Sequence, residues 1–240
     1  MSEFVFADDY RLEKGPTRKY YQEFLKGLVH KHNNLMGVIQ GFSSLILYDD
    51  GISQEVRDSA QQMQDAARSA SELNKDVLVP GGCSECAADR VELSQMLTFW
   101  KQKAEELGAE KGVRVGFTPR EGLPAVTGDS GKLSEVYVNL VRNAVEAAAE
   151  KGGGTVAVDL FPPGEASQGT NVDLFIRNTS PDLSVDDIRK AFKPFESTKG
   201  SGHFGIGLTS AAVLAADMGM RLGLRHAEGT TTAWLAMRPA

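Results

Sequence analysis

Four residues, Val79-Pro80-Gly81-Gly82, divide this chain into two kinds of pattern. Proline removes a backbone donor and two glycines follow, so a regular element stops there. On the N-terminal side, from about Pro16 to Tyr48, apolar residues recur at helical spacing: Phe24, Leu28, Leu35, Val38, Phe42 and Leu45, with Ile39 and Ile46 beside them. Tyr48-Asp-Asp-Gly51-Ile-Ser53 reads as a turn ending in an N-cap, with Ser53 or Asp50 as the capping residue. A second helical pattern runs from about Ser53 to Val79 through Val56, Ala60, Met63, Ala67, Ala70, Leu73 and Val77. Its repeat is near 3.5 residues, with small side chains where a partner helix approaches. Two tightly joined helices of roughly 30 and 26 residues, each about 40 Å long, form an antiparallel hairpin. A lone hairpin cannot bury both apolar seams, so the expected assembly is a dimeric four-helix bundle, a homodimer.

Beyond the break the pattern alternates. Helices are expected at 93–110, 130–150, 185–191 and 206–218, and strands at 113–117, 155–161, 172–178, 220–226 and 230–237. Strands and helices in this mixture predict an α+β chain whose second part is a two-layer α/β sandwich with a mixed sheet. The expected divisions are a polar, loose arm at 1–16, the helical hairpin at 17–79, a linker at 80–89 and the sandwich at 90–240.

The net charge of −6 argues against nucleic acid as a main partner. No apolar run reaches the roughly 18–20 residues of a membrane span, and the short acidic start is unlike a signal peptide. The expectation is a cytoplasmic protein. Cys83 and Cys86 form a single CxxC, but no further ligand pair stands near to complete a zinc site, so both read as incidental thiols.

The chemistry concentrates between residues 139 and 208. Asn139 and Asn143 are four apart and leave one face of a helix, although asparagine is a mediocre helix former. Gly200-Ser-Gly202-His-Phe-Gly205 follows, then Gly207-Leu208 opens a helix whose free N–H groups and dipole suit phosphate. Its literal G-x-G-x-x-G fails as a dinucleotide fingerprint because no buried strand precedes it. Paired amides suit a hydrated Mg²⁺ that borrows oxygens from phosphates.

These parts, in this order, resemble the nucleotide-binding domain of the histidine kinase, gyrase, Hsp90 and MutL superfamily, a Bergerat-type ATPase fold. The resemblance implies ATP and Mg²⁺, with Asn139 facing the phosphates and Asn143 ligating the metal. It further implies that Asn178, Lys199, Gly202, Gly205, Gly207 and Thr230 line the nucleotide. The family's Asp-x-Gly-x-Gly adenine box is matched here by Asn178-Thr-Ser180-Pro-Asp182. Asn178 can accept from the adenine amino group but carries no charge, and the glycines are replaced by Ser180 and Asp182.

Leu28-Val-His30-Lys31-His32-Asn33-Asn34-Leu35 in turn resembles the phosphoacceptor box of two-component histidine kinases whose members read His-Asp-Phe-Asn-Asn. That likeness makes His30 the phosphorylated residue and Asn34, one turn on, the residue that positions water for dephosphorylating a regulator. The family's next residue is usually an acid that holds the other imidazole N–H; here it is Lys31, which can only donate. His32 points about 200° around the helix from His30. The implied partners are a response-regulator receiver domain, a second copy of the chain and a separate sensor protein. The resemblance implies a kinase that passes phosphate from ATP to His30 and on to a regulator aspartate. A rival reading is a phosphotransfer or docking protein with a degenerate nucleotide domain, favoured by Lys31 and the Asn178–Asp182 departure. A third is a serine kinase or ATPase of the superfamily, in which the His30 hairpin has no task.

Overall fold

Helix α1 (Pro16–Tyr48) begins with a proline in its first turn, where the missing N–H costs nothing. The computed structural model describes residues 3–8, 15–150, 152–167, 169–196 and 204–240. The chain falls into two compact units. One holds residues 13–84 with 199–204; the other holds residues 1–12, 85–198 and 205–240.

In the first unit α1 turns into α2 (Gln54–Leu78). Asp49 Oδ1 accepts from the Gly51 N–H at 2.8 Å, and Ser53 Oγ caps α2 by accepting from the Val56 N–H at 3.3 Å. Arg57 donates to the Leu47 and Asp49 carbonyls, both at 3.2 Å, and so satisfies acceptors at the end of α1. Few residues of the pair are buried, and most are small: Val29 and Ser43 of α1, Ala60 and Ala67 of α2. Six large apolar residues of α1 stay open. Phe24, Leu28, Leu35, Val38, Phe42 and Leu45 are all more than half exposed.

The second unit is a two-layer sandwich. Its strands are β1 (Val5–Phe6), β3 (Arg114–Pro119), β5 (Thr155–Phe161), β6 (Val172–Thr179), β7 (Arg221–Ala227) and β8 (Thr230–Met237), in the order β1-β7-β8-β6-β5-β3. Only β3 and β5 pair in parallel; the other neighbours are antiparallel, so the sheet is mixed. A separate antiparallel pair joins β2 (Asp89–Val91) to β4 (Val126–Gly128).

One face of the sheet carries Val156, Val158 and Leu160 of β5, Leu174 and Ile176 of β6, and Leu235 and Met237 of β8, all buried. Helices α3 (Leu93–Glu110), α4 (Ser130–Glu150) and α6 (Gly207–Asp217) supply the other layer, with α4 against α3, α6, β5 and β6. The Trp100 and Tyr137 rings stack at 4.4 Å between α3 and α4, and Tyr137 Oη donates to the Trp100 carbonyl at 2.9 Å. Short α5 (Val185–Ala191) is closed by a reciprocal Ser184–Asp187 capping box.

Three short strands depart from the sequence expectation. The arm expected to be loose at 1–16 contributes β1 to the sheet edge, and β2 and β4 bracket α3 and β3. Each is only two or three residues long, too short for a period of two to be read.

Candidate functional site

The asparagine pair is set by the seating of α4. Asp129 caps this helix, its Oδ1 accepting from the Lys132 N–H at 3.0 Å and its Oδ2 from the Ala87 N–H at 3.2 Å. The Lys132 bond is the largest cause holding the Asp129 carboxyl below its ordinary pKa. Buried positions Leu133, Val136, Leu140, Ala144 and Ala148 fix the helix rotation, leaving Asn139 and Asn143 half-buried one turn apart. Among the described residues neither amide has a hydrogen-bond partner, so both keep their donors and acceptors for something else.

Asn139 lies at the start of α6. A Cβ built on Gly207 would sit 3.6 Å from Asn139 Oδ1, so the amide and the first helical residue are neighbours. Just upstream the chain is clasped. The Phe195 N–H donates to the Gly205 carbonyl at 3.1 Å, and Thr209 Oγ1 donates to the Phe192 carbonyl at 2.8 Å. Gly205 has φ 64°, and a Cβ there would lie 2.7 Å from the Glu196 carbonyl oxygen, so no other residue fits this turn. The clasp fixes both ends of the glycine-rich segment. Lys199 and Gly202 lie outside the described residues.

Asn178 is 5 % exposed at the end of β6. Its Nδ2 donates to the Thr179 carbonyl at 2.9 Å, which leaves Oδ1 as an acceptor. Strand register puts Val156, Asn178, Thr231 and His226 in one row across four strands, on the helix-covered face. Thr230, one residue earlier, stands on the opposite face, so of the adjacent threonines it is Thr231 that shares the face of Asn178. Ser180 completes a ring of three polar groups. Its Oγ lies 2.7 Å from Thr231 Oγ1 and 3.2 Å from His226 Nδ1, and the last two are 3.1 Å apart. The His226 side chain is 7 % exposed, with Nε2 3.5 Å from Oδ1 of the open Asp182. Sequence reasoning missed Thr231 and His226 as members of this cluster. Only their register across β6, β8 and β7 unites them.

In the hairpin unit His30, Lys31 and Asn34 are exposed on α1, with His30 and Asn34 one turn apart. His32 is occupied otherwise. Its Nδ1–H donates to Asn74 Oδ1 at 2.9 Å, and Asn74 Nδ2 donates to Asn33 Oδ1 at 2.7 Å. His32 and Asn33 therefore join the two helices, whereas His30 faces outward. Cys83 and Cys86 are free thiols whose pKa values burial pushes up, which works against a reactive thiolate.

Residues 128–239 match the family of histidine kinase-, DNA gyrase B- and HSP90-like ATPases. That match covers the C-terminal part of the chain, which is thus similar to an ATPase domain of this kind. It is 30 % identical over 220 residues to the virulence sensor protein BvgS of Bordetella bronchiseptica, covering 87 % of this chain and 17 % of that protein. It is 22 % identical over 212 residues to the sensor histidine kinase ZraS of Escherichia coli, covering 87 % of this chain and 44 % of that protein. The chain thus spans less than half the length of either relative. Among solved structures, full-length ShkA in complex with AMPPNP superposes with a TM-score of 0.70 at 24 % identity, over 91 % of this chain and 46 % of that one. The histidine kinase ATPase sandwich is therefore the fold of the second unit, and the two-helix region precedes it as expected. No helix among the described residues is long and apolar enough to cross a membrane.

Proposed function

We propose that this chain is the kinase core of a two-component system, which transfers the γ-phosphoryl group of ATP to His30 and then to an aspartate of a response-regulator receiver domain. The observation that carries the reading is Asn139 beside the start of α6 with Asn143 one turn on, neither amide partnered among the described residues, together with an ATPase-family match. Asn139 and the first N–H groups of α6 bind the phosphates. Asn143 gives its amide oxygen to Mg²⁺, whose charge offsets that of the phosphates when it is bound; a neutral, partnerless amide fits that ligand role. Asn178 Oδ1 accepts from the adenine amino group. Lys199, Gly202 and Gly205 complete the nucleotide-binding set.

On α1, one nitrogen of the His30 imidazole attacks the γ-phosphorus as ADP leaves, and the other nitrogen's proton needs an acceptor. Lys31 cannot provide it. The chain's positioning of substrate therefore carries more of the catalysis than general-base assistance does. Asn34, on the same face as His30, orients water when the regulator is dephosphorylated. The exposed apolar stripe of α1 supports a homodimer through residues 17–79, and a separate sensor protein supplies the signal.

Incubation with γ-labelled ATP and Mg²⁺ should give acid-labile, base-stable phosphoprotein. His30→Gln should abolish the label and His32→Gln should not, provided the His32 variant still folds by circular dichroism. Unlabelled wild-type protein overturns the kinase reading.

A relay protein with a degenerate nucleotide end is the second reading. Lys31 favours it, as does the Ser180–Thr231–His226 ring, which sets side chains where the family's adenine box has a glycine. Lys31→Asp separates the two. It should speed autophosphorylation, by at most about 10²–10⁴-fold, if a base is what is missing. It should slow phosphorylation of His30 from a phosphorylated regulator if the lysine instead draws in phosphoryl oxygens.

A further inference from the structure

The sheet face opposite the helices carries an aromatic row. Phe161 meets Phe175 at 6.0 Å, Phe175 stacks on Trp234 at 5.9 Å, and Trp234 meets Phe6 at 5.6 Å and Phe4 at 5.1 Å. The last two rings come from the N-terminus. β1 runs antiparallel to β7, with Val5 opposite Leu224 and Phe6 opposite Gly223, and the Ala7 N–H donates to the Leu222 carbonyl at 3.0 Å.

Gly223 decides how this contact is made. It stands between Phe6 on one side and Trp234 on the other. A Cβ at residue 223 would lie 3.0 Å from two carbons of the Phe6 ring. With no side chain there, the Phe6 ring lies over β7 and reaches Trp234. Two guanidinium groups cover the rings: Arg221 at 3.9 Å from the Phe6 centroid and Arg225 at 4.8 Å from that of Phe4. Arg221 also meets Asp8 at 3.2 Å. Ala7, on the other side of the strand, is buried. Backbone pairing, two aromatic seats, a small buried seat and an acid are therefore each recognised separately.

We infer that the β7 edge with Trp234, Arg221 and Arg225 is a strand-docking groove for an extended peptide of the pattern aromatic-x-aromatic-small-acidic, and that residues 4–8 of this chain are its occupant. Two features set β1 apart from a strand built into the sheet. It is an edge strand only two residues long, and its side chains meet the sheet mainly at its rim. Backbone pairing supplies affinity and the alternate side chains supply specificity, as in other cases of strand addition. Covalent attachment makes the pairing intramolecular, so the groove is filled in cis by a peptide whose own affinity is modest.

The test uses the full chain. In the Phe4→Ala/Phe6→Ala variant the tethered strand loses both ring contacts and vacates the groove. A fluorescein-labelled peptide copying residues 2–9 should then bind saturably, at least about tenfold more tightly than to the wild-type chain, where it must displace the tethered strand. Adding Gly223→Val to the double variant should remove that binding, because the aromatic seat is closed. Hydrogen exchange on the wild type supplies an independent reading. The Ala7 amide should exchange at least about a hundredfold faster than Leu235 of β8, because β1 opens without global unfolding. Equal protection of Ala7 and Leu235 makes β1 an integral strand and overturns the inference. So does a folded double variant that fails to bind the peptide, or peptide binding that Gly223→Val leaves unchanged. If the double variant does not fold, the Ala7 exchange rate decides alone.

Discussion

The helical hairpin and the sandwich solve the same burial problem with different completeness. In the sandwich the largest side chains are the best buried: Trp100, Tyr137 and Leu133 are each 0 % exposed. In the hairpin the largest are the most open, with Phe42 65 % and Leu45 68 % exposed. The reason lies in what each layer offers its neighbour. Sheet and helices present broad apolar faces that match. The buried residues of α1 and α2 are few and mostly small, Val29, Ser43, Ala60 and Ala67, and withdraw little apolar surface from water. At about 25 cal/mol per Å² such a seam contributes little. One unit is finished within the chain. The other has its main apolar stripe still to cover.

The strongest way to break this contrast is to damage the finished unit. Trp100→Ala should cost about 3–5 kcal/mol, since it removes a fully buried ring stacked on Tyr137 and leaves a cavity. Urea unfolding should show the sandwich transition moved to lower denaturant while the helical signal of the hairpin keeps its midpoint. If both transitions move together, the units are one cooperative structure and the contrast fails.

The next largest effect belongs to the unfinished unit. In an isolated hairpin Phe42→Glu is a surface change worth within about 0.5 kcal/mol. In a homodimer it places two charges in the joint seam and forfeits about 1.5–3 kcal/mol of burial per copy. Sedimentation equilibrium should show a wild-type dimer and a monomeric variant, with the sandwich equally stable in both. A monomeric wild type at micromolar concentration removes the basis for the four-helix bundle.

The two units also differed in how far the sequence could be read. The hairpin's bounds and most of the sandwich's helices and strands were legible, because each long element repeats its own period over several turns or several alternations. β1, β2 and β4 were not, since two or three residues of strand carry no period and their partners lie far off in the chain. The site divides in the same way. Asn139 and Asn143 are related within one helix, so their common face followed from their spacing. The grouping of Ser180, Thr231 and His226 depends on the register of three strands. For the same reason Thr230 was an expectation that the sequence alone could not separate from Thr231.

A sharper test of the site follows from the partnerless amides. Asn143→Ala should weaken Mg-dependent ATP binding by about 1–3 kcal/mol, the scale of a lost contact to a charged group. Its thermal midpoint should stay close to that of the wild type, because no hydrogen bond among the described residues is removed. Calorimetry that finds equal affinity in both proteins takes Asn143 out of the metal and nucleotide site. A large drop in midpoint gives it a structural task instead.

The smallest expected effect concerns how α4 is held in place, and it carries a sign that can be checked. The Asp129 carboxylate caps α4 at Lys132 and accepts from Ala87, so its folded pKa is lower than its ordinary value near 4. A depressed carboxylate pKa contributes stability that is present above the unfolded pKa and is lost as pH falls through the folded one. Asp129→Ala should therefore cost about 1 kcal/mol at pH 7, a typical loss for an N-cap. The difference from wild type should begin to shrink as the pH falls below about 4, the ordinary carboxylate value, and go on shrinking as it passes through the lower folded pKa. Asp129→Asn keeps an oxygen for the Lys132 N–H but replaces the second acceptor with a donor facing the Ala87 N–H. It should fall between wild type and alanine at pH 7, with a flatter pH dependence than wild type. Denaturant titrations of the three proteins at pH 7 and pH 3 measure both trends. A gap between wild type and Asp129→Ala that stays constant across that range would mean that the cap acts through shape alone, and that the charge on Asp129 does not help to seat the helix carrying Asn139 and Asn143.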